Sequence, residues 1–126
     1  MGFLDKYTSE ILGITRIISG LLFLAHGTAK IFNFPAREGW SGYDPMTMGG
    51  AAGAIELVAG TMIILGFYAR PAAFLSSGTM AVAYWYAHAP QNFYPLLNRG
   101  DAAILFCFIF LYIAAAGPGA FAINKK

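Results

Sequence analysis

The chain has 126 residues, room for one domain; 58% are apolar and 11% charged, with a mean hydropathy of +0.60. In a soluble domain about a quarter of residues are charged, and one this small cannot hide so much apolar surface, so the surplus must face lipid. Eight Lys and Arg against six Asp and Glu leave a formal charge of +2 with no basic cluster, which leaves nucleic-acid binding without support.

The N-terminus carries Asp5 and Glu10 and lacks a small-residue cleavage site, so no removable signal peptide is expected. A membrane span needs about 20 predominantly apolar residues, and four segments qualify. The first is 9–32, ending at "NFP". The second is 48–67, bounded by "GYDP" before it and "YARP" after it. The third, 71–88, opens with Pro71, whose fixed φ suits a first helical turn, and stops at "HAPQNFYP". The fourth, 101–117, opens with Asp101 as N-cap or first-turn acid and ends at "GPG". It contains the single cysteine, Cys107, which cannot form an intrachain disulfide. With short connections except the first, the expected fold is all-α: one transmembrane four-helix bundle in up-down-up-down order.

Orientation follows from Lys and Arg near the span ends. Lys6, Arg70, Lys125 and Lys126 fall on the side of the termini, and Lys30, Arg37 and Arg99 on the other. Four against three places the termini in the cytoplasm, in a multi-pass protein of the inner or plasma membrane. Trp40, Tyr43, Trp85, Tyr86, Phe93 and Tyr94 mark the opposite interface.

Residues three and four apart share a helix face, so Arg16, Ser19, Gly20, Phe23, His26, Gly27 and Lys30 form one stripe on the first span. Gly49, Gly53, Glu56 and Gly60 line one side of the second, a spacing that lets helix backbones approach closely. His26 lies roughly 9 Å, and Glu56 roughly 12 Å, below the interface away from the termini, while Arg16 lies roughly 24 Å from it. His88, Asn92, Arg99 and Asp101 reach that same end from the third and fourth spans. An ionised group in hydrocarbon costs about 2.5–3.5 kcal/mol on insertion scales, so Arg16 and Glu56 are functional or paired. Either they neutralise one another, or Glu56 is protonated, and they fix helix register, or they belong to a site; Arg16, the deeper of the two, needs Glu56 or backbone carbonyls as its partner. Lys30, near a helix end, can snorkel to the headgroups, whereas a buried imidazole at His26 must find partners for both nitrogens.

Arg16, "SGLLFLAHGTAK", "GAIELVAGTMIILGFYARPAA" and "HAPQNFYPLLNRGDAAILFCFIFLYIAAAGPG" together resemble the DoxX family of small four-helix membrane proteins, over nearly the whole chain. The most specific elements are His26-Gly27 with Lys30, Glu56 among glycines, the 66–70 turn, and the 88–101 segment, which ends in Gly-Asp where the family commonly has Gly-Glu. The resemblance implies a membrane-embedded bundle. It also points to redox roles: some members resemble the small subunit of a thiosulfate:quinone oxidoreductase, others accompany quinone- or thiol-stress systems, and distant relatives act as membrane chaperones.

Two functions follow as expectations. In the first, the chain is a quinone- or thiol-linked redox protein or subunit, an oxidoreductase only together with a partner that supplies electrons, because haem, iron–sulfur and nucleotide motifs are absent. His26, Glu56 and His88 would exchange protons, and Arg16, Lys30, Tyr84, Trp85, Arg99 and Asp101 would hold the quinone. In the second, it is a non-enzymatic scaffold, assembly factor or structural subunit, alone, as a homo-oligomer or in a larger complex. A metal centre from His26, Glu56 and His88 ranks third, lacking an i,i+3 or i,i+4 ligand pair.

Overall fold

The computed structural model describes residues 1–36, 42 and 46–126. Arg37, Trp40 and Tyr43, used above for orientation and interface, lie outside the described residues. The described residues form an all-helical structure of six α-helices: α1 (Gly2–Asp5), α2 (Thr8–Phe32), α3 (Met48–Leu65), α4 (Ala69–Ala83), α5 (Pro95–Asn98) and α6 (Asp101–Ala116). Helix α4 does not stop at Ala83. It continues through a π-helical turn, Tyr84–His88, and a 3₁₀ turn, Ala89–Gln91, before "NFYP" turns the chain.

Local chemistry accounts for the limits. Thr47 caps α3, its hydroxyl accepting the Gly50 N–H at 3.1 Å. Gly66, with φ +67°, ends α3 in the left-handed conformation that glycine adopts without strain. Pro71 is the third residue of α4, where the helix has no partner for an N–H. Gly100 precedes α6, and Asp101 places its carboxylate in the first turn.

Helices α2 and α3 are 25 and 18 residues long and apolar enough to cross a membrane. Helix α6 is apolar but has only 16 residues, and α4 has 15 before its π turn. The exterior repeats the message, since Ile14, Ile18, Leu22, Val58, Phe74, Leu75, Leu105 and Phe108 all point outward. Apolar side chains this numerous on every long helix suit lipid as the solvent.

Packing is pairwise. Helix α2 lies most extensively against α3, and α4 against α6; α3 and α4 join the pairs, while α2 and α6 meet along a slight seam. Between the pairs is a core of Phe23, Ile63, Met80, Phe106, Phe110 and Ile113, with Ala72 and Ala73 letting α4 approach. Phe23 meets Phe110 edge-on at 4.9 Å between centroids, and Phe106 stacks on Phe110 at 5.6 Å.

Candidate functional site

Helices α2 and α3 approach closely where glycines face each other. A Cβ on Gly27 would lie 2.9 Å from the Glu56 Cβ and 3.0 Å from the Leu57 nitrogen. That proximity lets Lys30, one turn beyond Gly27, donate from Nζ to Glu56 Oε1 at 2.5 Å. Glu56 is completely buried, while the Lys30 side chain keeps 20% of its surface exposed. The second carboxylate oxygen, Oε2, is buried with no hydrogen-bond partner among the described residues. An acceptor left unsatisfied away from water is costly, so this oxygen is available to a donor.

Lys30 also lines a groove between α3 and α4 of about 880 Å³. Its walls are apolar or small: Ala52 and Ile55 of α3, and Phe74, Gly78 and Val82 of α4, with Tyr86 of the π turn. Lys30 therefore borders an apolar slot while its ammonium is paired with Glu56, which is buried against α2 and does not itself line the slot.

Arg16 belongs elsewhere. It is fully buried and donates from Nε to the Ile63 carbonyl at 2.9 Å, from Nη1 to the carbonyls of Pro118 and Ala120, and from Nη2 to that of Phe121 at 2.7 Å. It does not neutralise Glu56. Fourteen residues separate it from Lys30 on one helix, roughly 21 Å at 1.5 Å per residue, so one carboxylate cannot serve both. Four of the five N–H donors of Arg16, expected above to bind a cofactor, go to backbone carbonyls.

His26 corrects the expected inward stripe. Arg16, Gly20, Phe23 and Gly27 are buried, but His26 is exposed and meets Phe106 edge-on at 5.7 Å. One residue is about 100° of helix turn, which carries His26 off the Gly27 line toward the slight α2–α6 seam. His26, Glu56 and His88 are not gathered into a metal-binding set among the described residues.

A second polar cluster forms where the π turn faces the start of α6. Asn98, fully buried, donates from Nδ2 to the Tyr84 hydroxyl (3.2 Å) and the Asn92 carbonyl (2.9 Å). Its Oδ1 accepts the Gly100 N–H at 2.8 Å, and its backbone carbonyl faces His88 Nδ1 at 3.0 Å. A carbonyl can only accept, so Nδ1 is the donor in this contact. Tyr84 stacks on His88 with centroids 6.4 Å apart. Of the other expected quinone contacts, Trp85 is 71% exposed, and Arg99 and Asp101 are exposed beside this cluster. Tyr84 is half-buried and committed to Asn98.

Asn98 is the residue that sequence reasoning missed. The available signal was an amide before the Arg99-Gly100 turn, in which Arg99 takes φ +61°. Asparagine is frequent in such turns for local reasons, and nothing in the linear pattern shows that it reaches Tyr84 fourteen residues earlier.

A model of the DoxX family matches residues 11–89 of this chain. The chain is also similar to a Haemophilus influenzae protein described as uncharacterized, with 39% identity over 132 aligned residues covering 100% of this chain and 97% of that one. No solved structure matches it.

Proposed function

Because this chain belongs to the DoxX family of membrane proteins, with a family match over residues 11–89, we propose that it is a multi-pass bundle whose four long helices cross the bilayer up-down-up-down, with both termini in the cytoplasm, and that it serves as a quinone-linked redox protein or subunit. The observation that carries the reading is Lys30, which lines the α3–α4 groove and is paired with a buried Glu56 whose Oε2 is unused.

The residues fit a quinone. Such a molecule is a flat apolar ring with two acceptor oxygens and an apolar tail. Lys30 has three N–H donors and gives one to Glu56, leaving others for a ring oxygen. The groove lies within the size range of pockets that enclose drug-sized molecules. Phe74 and Tyr86 offer flat contacts, and the slot between two membrane helices admits a tail from the lipid. A bound quinone would supply two-electron, two-proton redox chemistry. This chain would hold and orient the ring, and Glu56 would hold or release a proton at Oε2. Electrons would come from a partner subunit or from a thiol-class reductant, in keeping with the lack of an electron-carrying motif.

The experiment is titration of the purified protein in detergent with decylubiquinone, following the fluorescence of Trp85 and Trp40. Saturable quenching that Lys30→Met weakens at least about tenfold supports the reading; equal quenching in both proteins rejects it. One set of contacts favours a scaffold instead. Arg16 and Asn98, two of the fully buried polar side chains, spend most of their hydrogen bonds within the chain. A protein that binds no quinone but loses its fold on their substitution would be that scaffold.

A further inference from the structure

After α6 the chain does not leave the molecule. From Gly117 (φ +97°) it turns back and visits the near end of each long helix in turn. The Ala120 N–H donates to the Ser9 carbonyl of α2 at 2.9 Å. The N–H groups of Ile123 and Asn124 donate to the carbonyls of Leu65 and Gly66 at the end of α3, both at 3.1 Å. At the start of α4, the Tyr68 N–H donates to Asn124 Oδ1 at 3.2 Å and the Arg70 N–H to the Lys126 carbonyl at 3.1 Å. Arg70 also reaches back to the Ala115 carbonyl of α6 at 3.0 Å.

Directly beneath this strap is Arg16. Its guanidinium takes the carbonyls of Pro118, Ala120 and Phe121 from the strap and that of Ile63 from α3. Each side solves the other's difficulty. A buried cation needs acceptors, and non-helical backbone buried in a membrane protein needs donors for its carbonyls. The planar fork of arginine matches several converging oxygens, which a lysine ammonium on its flexible stem does not reproduce. These four bonds all go to backbone carbonyls and none to a carboxylate, so they do not cancel the positive charge of Arg16.

We infer that residues 117–126 form a seal latched by Arg16, which closes the terminal end of the bundle to water and ions. The uncancelled charge beneath the strap adds an electrostatic barrier to protons and other cations, as a fixed arginine does in selective pores. The inference rests on the membrane placement proposed above and on no particular ligand.

Hydrogen exchange on the full chain in detergent tests the latch. The amides of Ala120, Ile123 and Asn124 should be protected in the unmodified protein and should exchange about 100-fold faster in Arg16→Gln, which loses charged hydrogen bonds to three strap carbonyls. Amides in the middle of α3 serve as the reference. Labelling tests the seal: Ala59→Cys in a Cys107→Ser background, buried one turn inside Ile63, is exposed to a membrane-impermeant maleimide presented at the terminal side of sealed vesicles. It should react about tenfold or more faster once Arg16→Gln is added. Equal exchange or equal labelling with and without Arg16 overturns the inference. If Arg16→Gln does not fold, Arg16→Lys carries the same two readouts with smaller increments in the same direction. Decylubiquinone binding is scored separately, so a failed seal with intact binding, or the reverse, tells the two proposals apart.

Discussion

Lys30 of α2 and Glu56 of α3 lie 2.5 Å apart between charged atoms, one partner keeping a fifth of its surface exposed and the other completely buried. The asymmetry sets the order of substitution effects. Lys30→Met strands a carboxylate with no exposed surface, whereas Glu56→Gln leaves an ammonium that still reaches the groove edge. Breaking a buried pair from one side costs about 3–5 kcal/mol, while replacing both partners by apolar groups is often neutral. Lys30→Met should therefore lower the unfolding temperature in detergent more than Glu56→Gln, and Lys30→Met with Glu56→Met should recover most of the loss. A double variant as unstable as the sum of the singles would show that the two residues do not act as a pair.

Gly27 and Gly78 predict opposite outcomes for one substitution. A Cβ on Gly27 would press on the Glu56 Cβ and the Leu57 backbone, whereas one on Gly78 meets nothing within 4 Å. Gly27→Ala should cost about 1–3 kcal/mol through overpacking and loosen the Lys30–Glu56 contact. Gly78→Ala should be neutral or stabilise by up to about 1 kcal/mol through helix propensity. Thermal unfolding of the two variants, side by side in the same detergent, decides this.

These sites show what the linear pattern carried. Helices with apolar runs and turn residues at both ends could be read directly, and the glycine face that carries Glu56 on α3 followed from four-residue spacing. The Lys30–Glu56 bond did not, because spacing gives a face and a depth but not which cation on that face is level with the acid. For the same reason the sequence left Arg16 with either Glu56 or backbone carbonyls as its partner. The carbonyls are those of Ile63 and of the strap, and which carbonyls they are has no signature in sequence. The position of His26 was lost to one residue of helix rotation.

Asn98 yields a prediction with a sign in pH. Its Nδ2 supplies two hydrogen bonds, to the Tyr84 hydroxyl and the Asn92 carbonyl. Asn98→Asp keeps the shape but turns that nitrogen into an oxygen, and an ionised carboxylate has nothing to donate to the Asn92 carbonyl. Protonation restores one O–H donor. The variant should therefore be least stable at pH 8 and regain stability toward pH 5, while the unmodified protein changes less across that interval. A leftover buried acceptor costs about 1–3 kcal/mol, which is several degrees in a domain of this size. A variant whose unfolding temperature tracks that of the unmodified protein at both pH values would mean that the Asn92 carbonyl finds another donor.

The groove between α3 and α4 can be closed without touching the ion pair. Gly78 lines it from α4, has open space where a side chain would begin, and lies on a different helix from both Lys30 and Glu56. Gly78→Phe should fold, since its ring projects into the slot and not into the Phe23–Phe106–Phe110 core. It should reduce the affinity for decylubiquinone at least about tenfold, the equivalent of about 1.4 kcal/mol, while Gly78→Ala binds nearly as well as the unmodified protein. Because Lys30 and Glu56 are intact in both, loss of binding in the phenylalanine variant alone would locate the ring or its tail in this slot. Unchanged binding in Gly78→Phe would move the ligand elsewhere, and the α2–α6 crevice, lined by Ile11, Leu12, Phe108 and Tyr112, would be the next place to obstruct.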